Sequence, residues 1–191
     1  MNLSDFQNLR QRVSRVHDAM KKNEGEGFTQ SLNTHTDEKL VVRGIKSPEY
    51  LEDQILTLCI WMWSMKDYLK KLAIDNGCTG RQIEDIVNNN DSLAIIADIA
   101  NRTKHGTLTK TRCGDFAKLS GVGYKIKHTS LNTIEFGKLE VTLDVGKPEE
   151  AELTATIEFD SGNRAMIDDA FAVISDAMSV WESQAFPLIG A

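Results

Sequence analysis

The sequence contains no apolar run long enough to cross a membrane. Its most apolar stretch spans residues 55–65, about half of the roughly 20 residues that a bilayer-spanning helix needs. Asp53 precedes this stretch, and Lys66 and Asp67 follow it. The first residues also lack the basic region and apolar core that are typical of a signal peptide. We therefore expect a cytoplasmic protein that makes no membrane contact.

Cysteine is scarce, and no arrangement of residues is typical of a metal or cofactor site. Cys59, Cys78 and Cys113 are odd in number and widely spaced, which predicts reduced thiols rather than disulfides. The four histidines are scattered, without cysteine or carboxylate neighbours at ligand spacing. Gly121 and Gly123 lack the third glycine of a nucleotide-binding fingerprint. No serine lies in a Gly-x-Ser-x-Gly elbow. We expect no metal and no cofactor.

Charge is distributed unevenly along the 191 residues, whose formal net charge is −6. Residues 101–128 carry seven basic and one acidic side chain, whereas residues 129–191 carry three basic and twelve acidic ones. The basic segment can contact RNA phosphates, with Lys104, Lys110 and Arg112 as candidate binding residues. Alternatively, it faces the acidic C-terminal part of the same or a neighbouring chain. We expect a protein partner or a homodimer, and both explanations stay open.

Helical periodicity dominates residues 1–106. An apolar stripe predicts a first helix over residues 4–22. Residues 47–75 predict one long, mostly buried helix that recruits its neighbours, because residues 55–65 leave no polar face. Thr79 and Gln82 form a capping-box pattern for a short helix, and a further helix runs from about residue 91 to Gly106. Residues 23–45 form an unusually long polar connection. It could be mobile, contain a short strand or serve as an arm that binds a partner.

From residue 107 the apolar pattern changes to a period of two. Residues 122–126, 139–145 and 153–159 alternate apolar with polar side chains, and residues 116–119 and 133–136 could add strand segments. One face of such a sheet is apolar and the other polar, which favours antiparallel pairing. An amphipathic helix over about residues 164–184 could cover the apolar face. We expect a single α+β domain: a helical bundle over residues 1–106, then a sheet of four to six strands packed by a C-terminal helix.

One face of the helix before Gly106 carries the strongest candidate site. Asp98, Asn101, Arg102 and His105 follow the spacing i, i+3, i+4 and i+7, which places all four on one side of the helix. A histidine can transfer protons near neutral pH, an arginine can hold a phosphate, and an amide or carboxylate can orient the imidazole. The structural alternative is an Asp98–Arg102 helical ion pair, with His105 as a cation near the helix C-terminus.

A helical bundle with a histidine shortly after an arginine on a late helix resembles the HEPN group of prokaryotic helical proteins. The motif here is Arg102-Thr103-Lys104-His105, with a shorter spacing than the four to six residues of that group. The resemblance covers residues 47–106. It implies a metal-independent ribonuclease of a defence or toxin system, in which His105 is the general acid and base, Arg102 stabilises the phosphate, and Asn101 or Asp98 orients the histidine.

Two functions therefore follow from the sequence. The first is a non-enzymatic interaction or regulatory protein of bacterial or phage type, whose basic central segment and acidic C-terminal surface contact other macromolecules. The alternative is the HEPN-like ribonuclease.

Overall fold

The computed structural model describes residues 2–33, 35–167 and 169–190. In these residues the chain forms helices and strands of a mixed α+β protein, which confirms the predicted fold class at this level. The helices are α1 (Leu3–Met20), α2 (Pro48–Asp75), α3 (Gly80–Asn88), α4 (Asp91–His105) and α5 (Ala170–Val180). The strands are β1 (Phe28–Asn33), β2 (Glu38–Arg43), β3 (Ala117–Lys125), β4 (Leu131–Phe136), β5 (Glu140–Val145) and β6 (Glu152–Phe159).

The long helix α2 has 28 residues and begins at Pro48, where a first-turn proline is tolerated because its missing N–H needs no helical partner. Ser47 precedes it and accepts a hydrogen bond from the Tyr50 N–H at 3.1 Å. Eight residues of α2 are 3% exposed or less: Leu51, Ile55, Leu58, Cys59, Met62, Met65, Leu69 and Ala73. Full burial of a large apolar side chain contributes about 1.5–3 kcal/mol to the stability of the folded protein.

The predicted beginning of α3 and the predicted end of α4 agree with the structure. Thr79 precedes α3, and its N–H donates to Gln82 Oε1 at 2.8 Å, as a capping box requires. Gly106 follows α4 with a φ of 75°, and its N–H donates to the Arg102 carbonyl at 2.7 Å. A glycine ends this helix without steric cost because it adopts a positive φ readily.

The chain divides into two compact units. Unit 1 comprises the described parts of Met1–His17, Gln54–Gly121 and Ala155–Ala191, and unit 2 comprises Asp18–Asp53 and Val122–Thr154. In unit 1, α4 packs against both α3 and α5. Nine consecutive residues of α4, numbers 92–100, are buried, so this helix is the centre of unit 1. Strands β3 and β6 form a two-stranded sheet.

The C-terminal helix begins later than the predicted residue 164. The N–H and carbonyl groups of Ile157 and Ile167 exchange two hydrogen bonds of 2.9 Å, which hold Ile167 in an extended bridge beside β6. The Asp169 carboxylate then accepts from the N–H groups of Phe171 and Ala172 and caps α5. Asp168, also within the predicted helix, lies outside the described residues. Beyond α5, a π-helical turn covers Trp181–Ala185 and a 3₁₀ turn covers Phe186–Ile189.

Unit 2 contains a four-stranded sheet with the order β1-β2-β5-β4. Strands β1 and β2 lie in the segment that the sequence predicts as a polar connection. The pairs β1–β2 and β4–β5 are antiparallel, but β2 and β5 are parallel, which corrects the prediction of an antiparallel sheet. The reason is distance along the chain: almost a hundred residues separate β2 from β5, and a long crossover permits parallel pairing.

The core of unit 2 is small and brings backbone segments close together. Val42, Ile45 and Val145 form its centre, each 3% exposed or less. At Gly27, with a φ of +105°, an added Cβ would lie 2.2 Å from the Val42 carbonyl oxygen. At Gly44, with a φ of +86°, it would lie 2.4 Å from the Val145 carbonyl oxygen. Only glycine fits either position, because a side chain would require both strain and displacement of a strand.

Candidate functional site

Asp98 is buried inside unit 1 and holds the loop that follows α4. Its side chain is 1% exposed. The carboxylate accepts hydrogen bonds from the Arg112 N–H at 3.0 Å and from the Thr111 hydroxyl, and the Cys113 thiol lies 3.2 Å away. Burial of a carboxylate is costly unless donors surround it, and here backbone and side-chain donors do so. Asp98 therefore fastens residues 111–113 to α4.

Asn101 and Arg102 both have partners within unit 1. The Trp63 indole N–H donates to Asn101 Oδ1 at 3.1 Å. Arg102 Nη1 donates to Asp160 Oδ2 at 2.6 Å, so the ion pair forms with Asp160 at the end of β6 rather than with Asp98. The hydrogen bond from Arg102 holds the pKa of Asp160 below its ordinary value. The Arg102 side chain keeps 33% of its surface exposed.

The remaining predicted residues lie at the surface. Lys104 and His105 are exposed in the last turn of α4, and Lys110 is exposed in the following loop. Positive side chains at this position favour the negative end of the helix dipole. The structure thus leaves His105 accessible while three of its proposed helpers, Asp98, Asn101 and Arg102, already contact other side chains or backbone groups.

Arg112 belongs to a cluster of charged side chains that the sequence did not indicate as a group. Its Nη1 donates to Glu84 Oε2 at 3.1 Å and to Asn88 Oδ1 at 3.0 Å. The other Glu84 oxygen accepts from Lys70 at 2.9 Å and lies 3.7 Å from the Lys66 ammonium. We name Lys66, Lys70, Glu84 and Arg112 the Glu84 cluster.

Electrostatics favour the charged form of Glu84. Partial burial raises the pKa of this carboxyl, but the hydrogen bond from Lys70 and the charges of Lys66 and Arg112 outweigh it, so the pKa lies below its ordinary value. Asp67 contacts Lys66 from outside the cluster at 3.4 Å. With Asp67 included, this group of side chains comprises three cations and two carboxylates.

Trp63 holds two of these cations in place. The Lys66 ammonium lies 4.3 Å and the Arg112 guanidinium 4.9 Å from the centroid of the indole ring. Each such cation–π contact contributes about 0.5–2 kcal/mol to stability. Trp63 is only 8% exposed, and its N–H is bound to Asn101. Its indole therefore supports the two cations and does not offer an open face to a stacked base.

The sequence located part of this surface. It identified Arg112 as a candidate binding residue, but it gave Lys66, Lys70 and Glu84 no role in a site. The four-residue spacing of Lys66 and Lys70 places both on one face of α2. Their convergence with Glu84 of α3 and with the loop after α4 depends on tertiary packing.

The arrangement is suited to binding anions. Arginine has five N–H donors in a planar fork, and among the described residues Glu84 and Asn88 accept from Nη1 of Arg112 alone. The Lys70 and Arg112 side chains keep 36% and 31% of their surface exposed. An incoming phosphate can therefore reach both cations from solvent.

No protein-family model, curated protein or solved structure matches this chain. The resemblance to HEPN proteins therefore stays a prediction. Within the described ranges, no helix combines the length and apolar character that membrane crossing demands. The same ranges contain no group of three or more His, Cys, Asp or Glu side chains that could hold a metal ion.

Proposed function

We propose that the chain is a non-enzymatic interaction protein that binds RNA phosphates through the Glu84 cluster. The observation that carries this proposal is the convergence of Lys66, Lys70 and Arg112 on the single carboxylate of Glu84. Three cations held by one acid are oriented before a ligand arrives, which lowers the entropy cost of binding. The exposed Lys104 adds further positive charge from the same unit.

The character of the binding follows from the groups present. Phosphate contacts fix a nucleic acid in position but carry no sequence information. Since Trp63 is largely buried and two cations already contact its ring, base stacking on it is unavailable. Binding should therefore be independent of RNA sequence and strongly dependent on salt.

The state of the predicted catalytic residues supports a non-enzymatic role. An orienting group must face the histidine that it orients. The Asp98 carboxylate instead accepts from residues 111–113, and Asn101 accepts from Trp63. Arg102 is neutralised by Asp160. These contacts leave His105 without the arrangement that the ribonuclease hypothesis assigns to it.

Fluorescence anisotropy with a labelled single-stranded RNA tests the proposal. The wild-type protein should bind in low salt and lose affinity steeply between about 50 and 200 mM salt. Lys70→Ala should weaken binding and reduce the slope of log K against log salt by about one unit. Lys71→Ala is the matched control, because Lys71 is the next residue of α2 and pairs with Asp75 at 3.1 Å instead of Glu84.

Absence of binding at low salt would contradict the proposal. Equal affinities and salt slopes for the Lys70→Ala and Lys71→Ala proteins would also contradict it, since RNA would then contact some other surface. Circular dichroism of both variants verifies that a loss of binding does not reflect a loss of fold.

RNA cleavage is the second candidate function. One observation favours it: His105 is exposed in the same helical face as the partly exposed Arg102. Incubation of RNA with the protein and a chelator measures metal-independent cleavage. Under the ribonuclease hypothesis the wild type cuts RNA and His105→Ala does not. An inactive wild type, or cleavage that persists in His105→Ala, rejects this candidate.

A further inference from the structure

The end of α2 is followed by the one Asn-Gly pair of the sequence, Asn76-Gly77. Both residues are exposed. An asparagine followed by glycine is open to deamidation, because the glycine nitrogen can approach the asparagine side chain without hindrance from a Cβ. A Cβ added at Gly77 would meet no other atom within 4 Å, so the backbone at this point has room to move.

The Asn76 side chain links two parts of unit 1. Its Nδ2 donates to the Leu188 carbonyl at 3.0 Å. Leu188 belongs to the 3₁₀ turn Phe186–Ile189, which lies 112 residues further along the chain. This hydrogen bond needs the N–H of an amide, and an ionised carboxylate has no proton to donate. Conversion of the amide to a carboxylate would therefore remove the link between α2 and the turn.

The end of the helix restrains the reacting groups but does not enclose them. The Gly77 N–H donates to the Ile74 carbonyl at 3.0 Å, and the Cys78 N–H donates to the Ala73 carbonyl at 2.8 Å, as in a Schellman motif. The Gly77 nitrogen can attack only after its own hydrogen bond and that of the Asn76 amide have opened. Helix ends open locally far more readily than the whole protein unfolds. The reaction should therefore be slower than in an unfolded chain but still proceed in the native protein.

We propose that Asn76 deamidates spontaneously in the folded protein and that this reaction releases the C-terminal 3₁₀ turn from α2. The Gly77 nitrogen loses its proton and attacks Asn76 Cγ. A cyclic succinimide forms as the bond from Cγ to the side-chain nitrogen breaks, and ammonia leaves with the proton. Water then adds to either succinimide carbonyl and breaks that carbon's bond to the ring nitrogen, which regains a proton. The products are aspartate or isoaspartate, and the reaction consumes one water and releases one ammonia.

Both products are unfavourable at this position. The new carboxylate follows directly after Asp75, whose own carboxylate already pairs with Lys71 at 3.1 Å. It also replaces a donor beside the Leu188 carbonyl oxygen with an acceptor. Isoaspartate additionally inserts a carbon atom into the main chain, which changes the spacing of the hydrogen bonds that end the helix.

Peptide mapping by mass spectrometry tests the first part of the proposal. The full chain is incubated in water labelled with heavy oxygen at mildly alkaline pH. Asn76 should be converted to aspartate and isoaspartate, with heavy oxygen in the new carboxylate. Asn89 is the internal control, because it is also exposed at the C-terminal end of a helix but is followed by Asn90 instead of glycine. It should remain largely unmodified.

Two results would overturn this assignment. Equal rates of conversion at Asn76 and Asn89 would mean that the following glycine does not direct the reaction. If Asn76 stayed intact in the folded protein but reacted in urea, the Schellman motif would prevent the reaction in the native state. Asn76 lies outside the Glu84 cluster, so neither result depends on RNA binding.

Hydrogen exchange tests the release of the turn. Ion exchange separates the deamidated protein, which has an additional negative charge, from the unmodified protein. The amides of residues 188–190 should exchange about twofold to tenfold faster in the deamidated form, as the loss of one hydrogen bond predicts. Asn76→Asp should reproduce this increase, whereas Asn76→Gln keeps an amide donor and should exchange more slowly than Asn76→Asp. Equal exchange in the deamidated and unmodified proteins would contradict the release.

Discussion

Replacement of Asp98 by Ala should destabilise unit 1 strongly. The Asp98 carboxylate is 1% exposed and accepts hydrogen bonds from the Arg112 N–H and the Thr111 hydroxyl. Alanine removes the acceptor but leaves the donors inside the protein. Hydrogen bonds to charged groups contribute about 1.5–3 kcal/mol each, so the loss of two predicts a decrease in the free energy of unfolding of about 3–6 kcal/mol.

Asp98→Asn should cost less than Asp98→Ala, about 1–2 kcal/mol. The asparagine carbonyl can still accept from the Arg112 N–H. Its amide can donate to the Thr111 hydroxyl, whose own proton is within reach of the Asp115 carbonyl oxygen at 2.9 Å. The difference between the two variants therefore separates the loss of the negative charge from the loss of all acceptors.

Tryptophan fluorescence during urea unfolding is the appropriate assay. All three tryptophans, Trp61, Trp63 and Trp181, belong to unit 1, so their emission follows the unit that contains Asp98. With a urea m value of about 2 kcal/mol/M, the predicted loss for Asp98→Ala lowers the midpoint by about 1.5–3 M. Comparison of the m values indicates whether the native unit retains its compactness.

Asp85→Ala is the matched control, because Asp85 is an exposed helical aspartate that pairs only weakly, at 3.9 Å, with Arg81. Its replacement should change the free energy of unfolding by no more than about 0.5 kcal/mol. A cost below about 1 kcal/mol for Asp98→Ala would refute the conclusion that this carboxylate holds the loop. Asp98 would then be free for the orienting role that the sequence predicts.

Three further predictions concern single residues. Asp160 has a pKa below its ordinary value of 3.8 because it accepts a hydrogen bond from Arg102. The stability that this ion pair contributes is therefore complete above pH 3.8 and is lost as the pH falls through the lowered pKa. Thermal unfolding of Asp160→Asn should lose this part of the acid dependence, and an unchanged pH profile contradicts the assignment. Gly27→Ala should destabilise unit 2 by more than about 1 kcal/mol, measured by circular dichroism, because it combines a positive φ with a backbone clash; a neutral substitution contradicts this. Native Cys59, buried and with its pKa raised to about 12, should resist iodoacetamide while Cys78 reacts, as mass spectrometry would show; equal labelling rates contradict the described burial.

Elements that depend on nearby residues agree with the sequence predictions. The long helix begins at Pro48 because the capping residues and the apolar run are contiguous in the chain. Thr79 and Gln82 are three residues apart, and their hydrogen bond forms within that interval. Strands β5 and β6 begin and end within a residue of the segments that the alternating pattern predicts, and burial alternates in β6, although in β5 the polar Thr142 is buried and Leu139, just before that strand, is exposed.

Contacts between distant residues could not be predicted in this way. Helical spacing indicated an Asp98–Arg102 pair, yet Asp98 accepts from a loop and Arg102 pairs with Asp160, 58 residues further along the chain. Either the helical pair or the distant partners would satisfy both charged side chains. A sequence pattern does not indicate whether a neighbouring or a distant partner is preferred. The same limit applies to the Glu84 cluster, whose cations come from α2 and from the loop after α4.

The sequence by itself determined the α+β class, the long buried helix and, to within about two residues, the bounds of α1, α4, β5 and β6, because these depend on the period of apolar side chains and on capping groups a few residues apart. Tertiary structure alone decided the parallel pairing of β2 with β5, the burial of Asp98 and the exposure of Phe136. Each of these depends on which distant segment supplies or withholds a partner, and local periodicity contains no information about that partner.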